Sequence, residues 1–292
     1  MTNNETMKVG VIGLGAMGAG MALNFHKAGC LHRIWNRTTS KAQGIAGETG
    51  VAIADSPEEL ARECDLILTC VSRDGDVIEL MERIAPVLTA GKIVVDTSTT
   101  SSGTAQRAAA ILGEKDIHFL DAPVSGGTEG ARNGTLAMMV GGEEEVLIRV
   151  RPFLDAIARN IVYIGPVGSG QACKAVNQIM CAGINQAVTE ALAFGEAMNL
   201  DMERVIDVVA TGAAGNWFLD HRGKTMLAGT FKPGFKVNLH HKDLMICTDM
   251  SADSLPLCEM TLAHYRRLMD TGYGDEDISS LYRLKRPDNQ DK

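Results

Sequence analysis

Met7–Gly20 reads MKVGVIGLGAMGAG. An apolar run leads into Gly13-Leu14-Gly15-Ala16-Met17-Gly18, and a helix-compatible stretch follows as far as Gly29. In such a turn the first glycine permits the tight bend, the second lets the backbone approach a pyrophosphate, and the third allows the helix to pack closely on the strand. The helix start adds unsatisfied N–H donors and a partial positive charge, both suited to phosphate. A glycine-rich turn with no ligand is the competing explanation. Position argues against it: the motif follows the first strand, opens a helix and heads a strand–helix series, so residues 13–18 are assigned to dinucleotide binding.

Working outward, short apolar runs alternate with helical patterns through the first half of the chain: KVGVIG, HRIW, VAIA, DLILTCV, KIVVD, IHFLDA, LAMMVGG and NIVYIG all read as strands. This alternation predicts an α/β fold, a parallel sheet flanked by helices. Ser56-Pro57-Glu58-Glu59 is a capping box with proline at the first helical position, which predicts a helix start there. After Gly165 the strand signals stop, and the Gly165–Gly170 cluster marks a boundary between residues 1–164 and 165–292. Beyond it the pattern is helical. Residues 171–199 are apolar on most sides and predict a central helix buried by others, with further helices over 201–211, 237–252 and 256–271. The ends, before Met7 and KRPDNQDK at 285–292, read as a loose tail and a solvated terminus.

The chain has 292 residues, 45% of them apolar, enough for two cores. A formal charge of −8 argues against nucleic acid or an anionic membrane surface as partner, because both need clustered Lys and Arg. Seven cysteines without a C-x-x-C pair, and no histidine at ligand spacing, predict reduced thiols, no metal and a cytoplasmic location. No apolar run is long enough to span a bilayer and no leader pattern opens the chain. Small molecules remain as ligands.

The end of the second strand bears on which dinucleotide. A carboxylate there would bind a ribose 2′-hydroxyl and select NAD(H), whereas this chain has Asn36-Arg37-Thr38. Arg37 and Thr38 are suited to a 2′-phosphate, so NADP(H) is the expected preference, with NAD(H) as the second option. Arg37 stacking on adenine as an ordinary exposed arginine is the alternative. A second candidate site is Asp121-Ala122-Pro123-Val124-Ser125-Gly126-Gly127-Thr128, at the carboxyl end of a strand. Ser125 offers a hydroxyl, and Gly126 and Gly127 expose backbone N–H groups to a substrate carboxylate. By itself such a turn also fits a simple loop.

With GLGAMG, DAPVSGG, GSGQACKAVNQ and HHKDL in family order, the chain resembles the β-hydroxyacid dehydrogenases, the 3-hydroxyisobutyrate dehydrogenase-like group related to 6-phosphogluconate dehydrogenase, from Met7 to about Leu284. The resemblance implies an N-terminal Rossmann doubly wound domain joined by a long interdomain helix to an all-α domain that carries substrate and subunit contacts, in a homodimer or homotetramer. It places the catalytic lysine on Lys174, its asparagine partner on Asn177, and the substrate loop on Ser125, Gly126 and Gly127. A cofactor threonine falls on Thr99, a nicotinamide loop on Val71 and Ser72, and a lysine reaching cofactor and substrate on Lys242. Two positions depart from the family pattern, Gln178 for a second asparagine and Cys70-Val71-Ser72 for an apolar Leu-Pro-like loop. The implied substrates are small β-hydroxy carboxylates or their semialdehydes and keto acids.

Lys174 is the one charged residue between Arg159 and Glu190, and a lone buried charge is costly. Helical spacing puts Lys174, Asn177, Gln178, Cys181 and Asn185 on one stripe, expected to face the ligand. A neutral Lys174 would accept the proton of a substrate hydroxyl, and its ammonium would donate in the reverse direction. A free lysine, near pKa 10.4, is a poor base at neutral pH, so burial and cations such as Lys242 would have to lower it. A lysine snorkelling at a helix start is the competing reading for Lys174, and a salt-bridged surface lysine for Lys242. Gly215-Asn216-Trp217-Phe218 is expected to wall the substrate pocket, with Trp217 limiting size and the Asn216 amide selecting polar groups. A plain interhelical loop is the alternative. Two other functions fit the architecture, an imine reductase and a non-catalytic dinucleotide-binding module.

Overall fold

A computed structural model describes residues 7–286 and divides them into two compact units between Lys174 and Ala175. The N-terminal tail before Met7 and the last six residues of the C-terminal stretch lie outside the described residues. Lys285 and Arg286, expected to be free in solvent, instead pair with Glu190 and Glu196.

The first unit is a nine-stranded sheet with helices. In chain order it runs β1 (Val9–Ile12), α1 (Gly18–Lys27), β2 (Leu31–Trp35), α2 (Thr39–Thr49), β3 (Ala52–Ile53), α3 (Pro57–Glu63), β4 (Leu66–Thr69) and α4 (Asp74–Ile84). Then come β5 (Ile93–Asp96), α5 (Ser102–Gly113), β6 (His118–Asp121), β7 (Val124–Ser125), α6 (Gly127–Asn133), β8 (Leu136–Gly141), α7 (Glu144–Leu154) and β9 (Ala158–Gly165). The strand order is β3-β2-β1-β4-β5-β6-β8-β7, with β9 paired to β8.

Side-chain alternation explains why the sheet is wound on both faces. Leu66, Leu68, Ile93 and Val95 join one apolar cluster with Met21 and Phe25 of α1, while Ile67 and Val94 join another with Leu60, Met81 and Ala108 of α3, α4 and α5. Successive residues of a strand point to opposite faces, so a strand buried on both sides must be apolar throughout, as these are.

The eight strands read from the pattern are all present, and their pairing is parallel from β3 to β6. The parallel sheet does not continue to the edge. β8 runs antiparallel to β6 and β7, and a two-residue β7 sits where the pattern showed only a turn. Two residues are too few to show an alternation. At α3 the capping box forms: Ser56 Oγ accepts from the Glu59 N–H at 3.1 Å, and the Glu59 carboxylate reaches the Asp55 N–H, one residue before the cap.

The second unit is helical. α8 (Ser169–Ala197) begins in the first unit and continues into it, followed by α9 (Met202–Ala210), α10 (Trp217–Leu227), α11 (Val237–Met250), α12 (Pro256–Asp270) and a 3₁₀ turn over Ile278–Leu284. Leu192, Ile206, Phe218, Leu244, Tyr265 and Leu281 form its core. Two expectations are corrected here. α10 begins at Trp217, inside the stretch expected to wall the pocket and given no helix, because Asn216 caps it. And α8 is not enclosed: Val176, Met180, Ile184 and Phe194 recur along one face and, with Met198 just past its end, remain exposed, Met180 at 62% and Phe194 at 65%. The helix is apolar on most sides, but the described residues cover only part of it.

Candidate active site

Each glycine of the first motif has a separate steric job. Gly13 sits at φ +94°, and a Cβ there would lie 2.2 Å from the Cys70 carbonyl oxygen. At Gly18 a Cβ would lie 1.9 Å from the Gly13 carbonyl, so α1 can start against β1 only with glycine. A Cβ on Gly15 would meet nothing within 4 Å, which leaves the open side of the turn for a ligand to approach. Gly20, which the motif reading did not use, lets α6 lie on α1, where a Cβ would meet the Ala131 backbone at 2.8 Å. Asn24 donates to the Ala131 and Arg132 carbonyls across the same contact. The glycine turn is thereby coupled to the Ser125–Gly127 segment that opens α6.

Not every residue of the turn is turned to a ligand. The Leu14 side chain is buried in the core, and its N–H is held by Asn36 Oδ1 at 2.8 Å. Asn36 also donates to the Thr38 carbonyl, so its amide shapes the loop. Ala16 is exposed and Met17 half-buried. A groove beside the turn is lined by Gly13, Gly15, Asn36, Arg37, Thr38, Val71 and Ser72, and by Lys41, Asp76 and Arg83, which sequence reading missed. Arg37 Nη1 is 3.1 Å from Asp76 Oδ1, and Arg83 lies over the Trp35 ring. An open glycine turn beside Arg37 and Lys41 fits a dinucleotide, phosphates on the turn and helix start, adenosine beside the cations.

The loops after β4 and β5 are fixed by one buried carboxylate. Asp96 Oδ1 accepts from Thr69 Oγ1 at 2.7 Å and Ser98 Oγ at 2.6 Å, and Ser98 Oγ in turn accepts from the Val71 N–H. Burial pushes the Asp96 carboxyl above its usual range, against the pull of these bonds. Thr99 lies between two residues that Gln171 holds: Gln171 Nε2 donates to the Ser98 carbonyl, and its Oε1 accepts from the Thr100 N–H. Gln171 belongs to the first turn of α8, and Lys174, one turn on, is 7% exposed. The GSGQACK motif contained Gln171, but no local pattern reveals a partner 73 residues away. Ser125 is half-buried, and Gly126 and Gly127 have φ of +129° and +61°, conformations that favour glycine.

In the second unit the polar stripe of α8 is put to structural use. Gln178 Nε2 donates to Asp243 Oδ2 at 2.6 Å, and Asn185 Nδ2 donates to Tyr265 Oη and the Ile278 carbonyl. These two therefore anchor the helical core and do not face a ligand as expected. His240 Nε2 lies 3.1 Å from the Gln178 carbonyl, which can only accept; Nε2 is thus the protonated nitrogen, and Nδ1 accepts from Tyr265 Oη at 3.0 Å. Asn177 donates to Gln178 Oε1 and the Cys181 sulfur. Lys242 Nζ pairs with Asp243 Oδ1 at 2.8 Å. Trp217 is 56% exposed and stacked on His221. The Asn216 amide helps fix the start of α10, its Oδ1 capping the helix at Leu219 and its Nδ2 on the Ala214 carbonyl.

Residues 8–165 match the family model for the NAD-binding domain of 6-phosphogluconate dehydrogenase, and residues 168–285 match that for the NAD-binding region of NADP-dependent 3-hydroxyisobutyrate dehydrogenase. The chain belongs to the β-hydroxyacid dehydrogenase family. It is 37% identical to the 2-hydroxy-3-oxopropionate reductase of Escherichia coli, over 91% of each chain. To the NAD-dependent L-serine dehydrogenase of Pseudomonas aeruginosa it is 32% identical, over 96% of this chain and 98% of that one. The solved structure of Mycobacterium tuberculosis 3-hydroxyisobutyrate dehydrogenase with L-serine superposes with a TM-score of 0.87 at 31% identity, over 96% of this chain and 99% of that one. Like its family, this β-hydroxyacid dehydrogenase binds NAD(P) and is an oxidoreductase of hydroxy acids. Among the described residues no helix is long and apolar enough to cross a membrane.

The two glycines predict opposite failures. Gly15→Ala should fold with stability within about 0.5 kcal/mol of the parent and lose cofactor affinity, read by quenching of NAD(P)H fluorescence. Gly18→Ala should lose about 1–3 kcal/mol in urea unfolding, because the added methyl meets backbone that cannot yield.

Proposed function

We propose that the protein is an NADP(H)-preferring dehydrogenase or reductase that interconverts a small β-hydroxy carboxylate and its semialdehyde or keto acid, with Lys174 as the proton-transfer group. The observation that carries this reading is Lys174 itself, a lysine 7% exposed on a helix whose first turn is pinned to the loop holding Thr99. Taking water from an ammonium favours the neutral amine, the form a general base needs. When bound, the nicotinamide supplies the hydride acceptor or donor. In oxidation Lys174 Nζ accepts the proton of the substrate hydroxyl; in reduction it returns that proton to the carbonyl oxygen. Asn177, three residues along the helix, is the orienting amide. Ser125 with the Gly126 and Gly127 amides is the carboxylate seat, and their φ angles and place at the start of α6 support that role. For Lys242 and Trp217 as substrate-side residues the support is the family resemblance alone.

Glyoxylate, succinic and tartronate semialdehydes, 3-hydroxyisobutyrate, 3-hydroxypropionate and serine are the substrates to screen, by absorbance at 340 nm. Imine reduction is disfavoured, because those enzymes generally replace this lysine. A binding module without catalysis has no use for Lys174, Ser125 and Asn177 together. Lys174→Ala should lower kcat by at least about 100-fold with cofactor binding intact; turnover retained by that variant rules out the assignment.

NADP(H) preference is supported by the missing carboxylate after β2 and by Arg37, Thr38 and Lys41 on the groove. The Arg37–Asp76 pair is solvent-exposed on the arginine side and so is cheap to rearrange around a phosphate. Arg37→Ala should weaken NADPH by about 1.5–3 kcal/mol and leave NADH nearly unchanged. Equal losses for both cofactors would assign Arg37 to adenine stacking instead.

The homodimer or homotetramer reading is supported by the exposed stripe Val176, Met180, Ile184, Phe194 and Met198, since contiguous apolar surface of this kind marks association sites. Met180→Glu with Phe194→Glu should shift the mass measured by light scattering toward the monomer, whereas a mass unchanged by the pair would place the subunit contact elsewhere.

A further inference from the structure

Asp121 is a buried carboxylate that the proton transfer above does not use. It ends β6 and is fully buried, with Oδ1 accepting from the Gly168 N–H at 2.7 Å and Oδ2 from the Gln171 N–H at 2.9 Å. These are two of the donors at the start of α8, which have no carbonyl partner within the helix. The surroundings are shaped to this contact. A Cβ on Gly141 would lie 2.5 Å from Asp121 Oδ1, and one on Gly170 would lie 2.6 Å from the Asp121 carbonyl oxygen and 2.8 Å from Oδ2. Glycine at both positions lets the helix start descend onto the carboxylate. Gln171, whose N–H Asp121 holds, precedes Lys174 by one turn and carries the side chain that fixes Ser98 and Thr100.

We infer that Asp121 is a positioning residue for the reaction: by clamping the first turn of α8 through Gly168 and Gln171, its ionised carboxylate sets the placement of Lys174 relative to the Thr99 loop. The inference rests on Lys174 as the proton-transfer group. The clamp needs both oxygens as acceptors, and protonation turns one of them into a hydroxyl that no longer accepts well from the N–H facing it. That state is within reach of ordinary buffers. Burial pushes the Asp121 carboxyl up to about 6, with the two N–H bonds opposing and Asp96 on β5 adding to the rise. β8 faces it with Gly141, α8 presents backbone, and Lys174 is the next charged residue along that helix.

The sign of the linkage separates positioning from folding. A carboxyl whose folded pKa is raised takes up a proton more readily in the folded chain, so its protonation contributes stability below about pH 4, and that contribution is lost as pH rises through about 6. Acid therefore does not weaken the fold through Asp121. A fall in rate as pH drops through 6, with the fold intact, reports the clamp.

The test uses the reduction direction, where Lys174 acts as the acid and its own titration limits the rate only on the alkaline side. With NADPH and the fastest semialdehyde of the screen, wild-type kcat should fall below an apparent pKa near 6 while far-UV circular dichroism stays constant. Asp121→Asn should lower kcat about tenfold, keep the NADPH affinity, and lose the step near 6. The amide proton resonances of Gly168 and Gln171 should titrate with the same midpoint in the wild type and not in the variant, a readout that needs no turnover. A flat wild-type profile with non-titrating amides overturns the inference even if the variant does not fold, and so does a variant with unchanged kcat and pH profile. Lys174→Ala in parallel keeps the two readings apart: if it retains turnover the proton-transfer assignment fails, whereas an inactive Lys174→Ala beside an unaffected Asp121→Asn removes the clamp alone.

Discussion

The first four N–H groups of a helix need acceptors from outside it, and at α8 the place where they must be met is closed to water. The solution is a carboxylate at the end of β6, fully buried. Burying it is unfavourable, as the upward shift of its pKa shows, and two short charge-assisted bonds offset that cost. Much follows from this one contact. Gly141 and Gly170 must lack side chains, Gly168 adopts φ +94°, and a helix of 29 residues departs from the sheet at a fixed point. Its sixth residue is Lys174.

The same sheet edge gathers the other groups proposed to meet ligand, because in a parallel sheet the carboxyl ends of successive strands lie side by side. β1 delivers the glycine turn, β4 the Val71 loop, β5 the Thr99 loop and β6 Asp121 with the Ser125 turn. What turns neighbours into a rigid set is hydrogen bonding between loops: Asp96 to Ser98 to Val71, and Gln171 to Ser98 and Thr100. Such a network orders backbone without help from regular secondary structure, and its interior location makes each bond costly to leave unmade.

How much of this was legible in the sequence depended on the distance between cause and effect along the chain. The glycine turn and the capping box act over three to five residues, and the structure shows Gly13 and Gly18 in the tight-turn and close-packing roles their spacing implies, with open space beside Gly15. Strands buried on both faces were legible as continuous apolar runs. The destination of Gln178 and Asn185 was not, since Asp243 and Tyr265 stand 65 and 80 residues away and a helical stripe says only that polar groups share a face. The start of α10 was hidden for a different reason. Glycines at 212 and 215 give the segment the composition of a loop, and the same Asn216 amide that suggests ligand contact also makes a good N-cap.

Helix α8 shows why an all-round apolar pattern is ambiguous. Hydrophobic periodicity measures the wish of a face to leave water, and it carries no information on whether the covering surface belongs to the same chain. On α8 the polar residues Gln178, Asn185, Gln186 and Thr189 are buried, and the first three reach partners on other elements. Val176, Met180, Ile184 and Phe194 point outward. The usual amphipathic arrangement keeps polar side chains on the solvent face; here buried amides share the inner face with Ala182, Val188 and Leu192, while Glu190 is exposed. Buried amides fix rotation about the helix axis, since the donors of Gln178, Asn185 and Gln186 reach their partners in one orientation only, and with rotation fixed the apolar face is held outward. A helix so constrained cannot roll its exposed methionines and phenylalanine into its own core, so among the described residues that face stays in water.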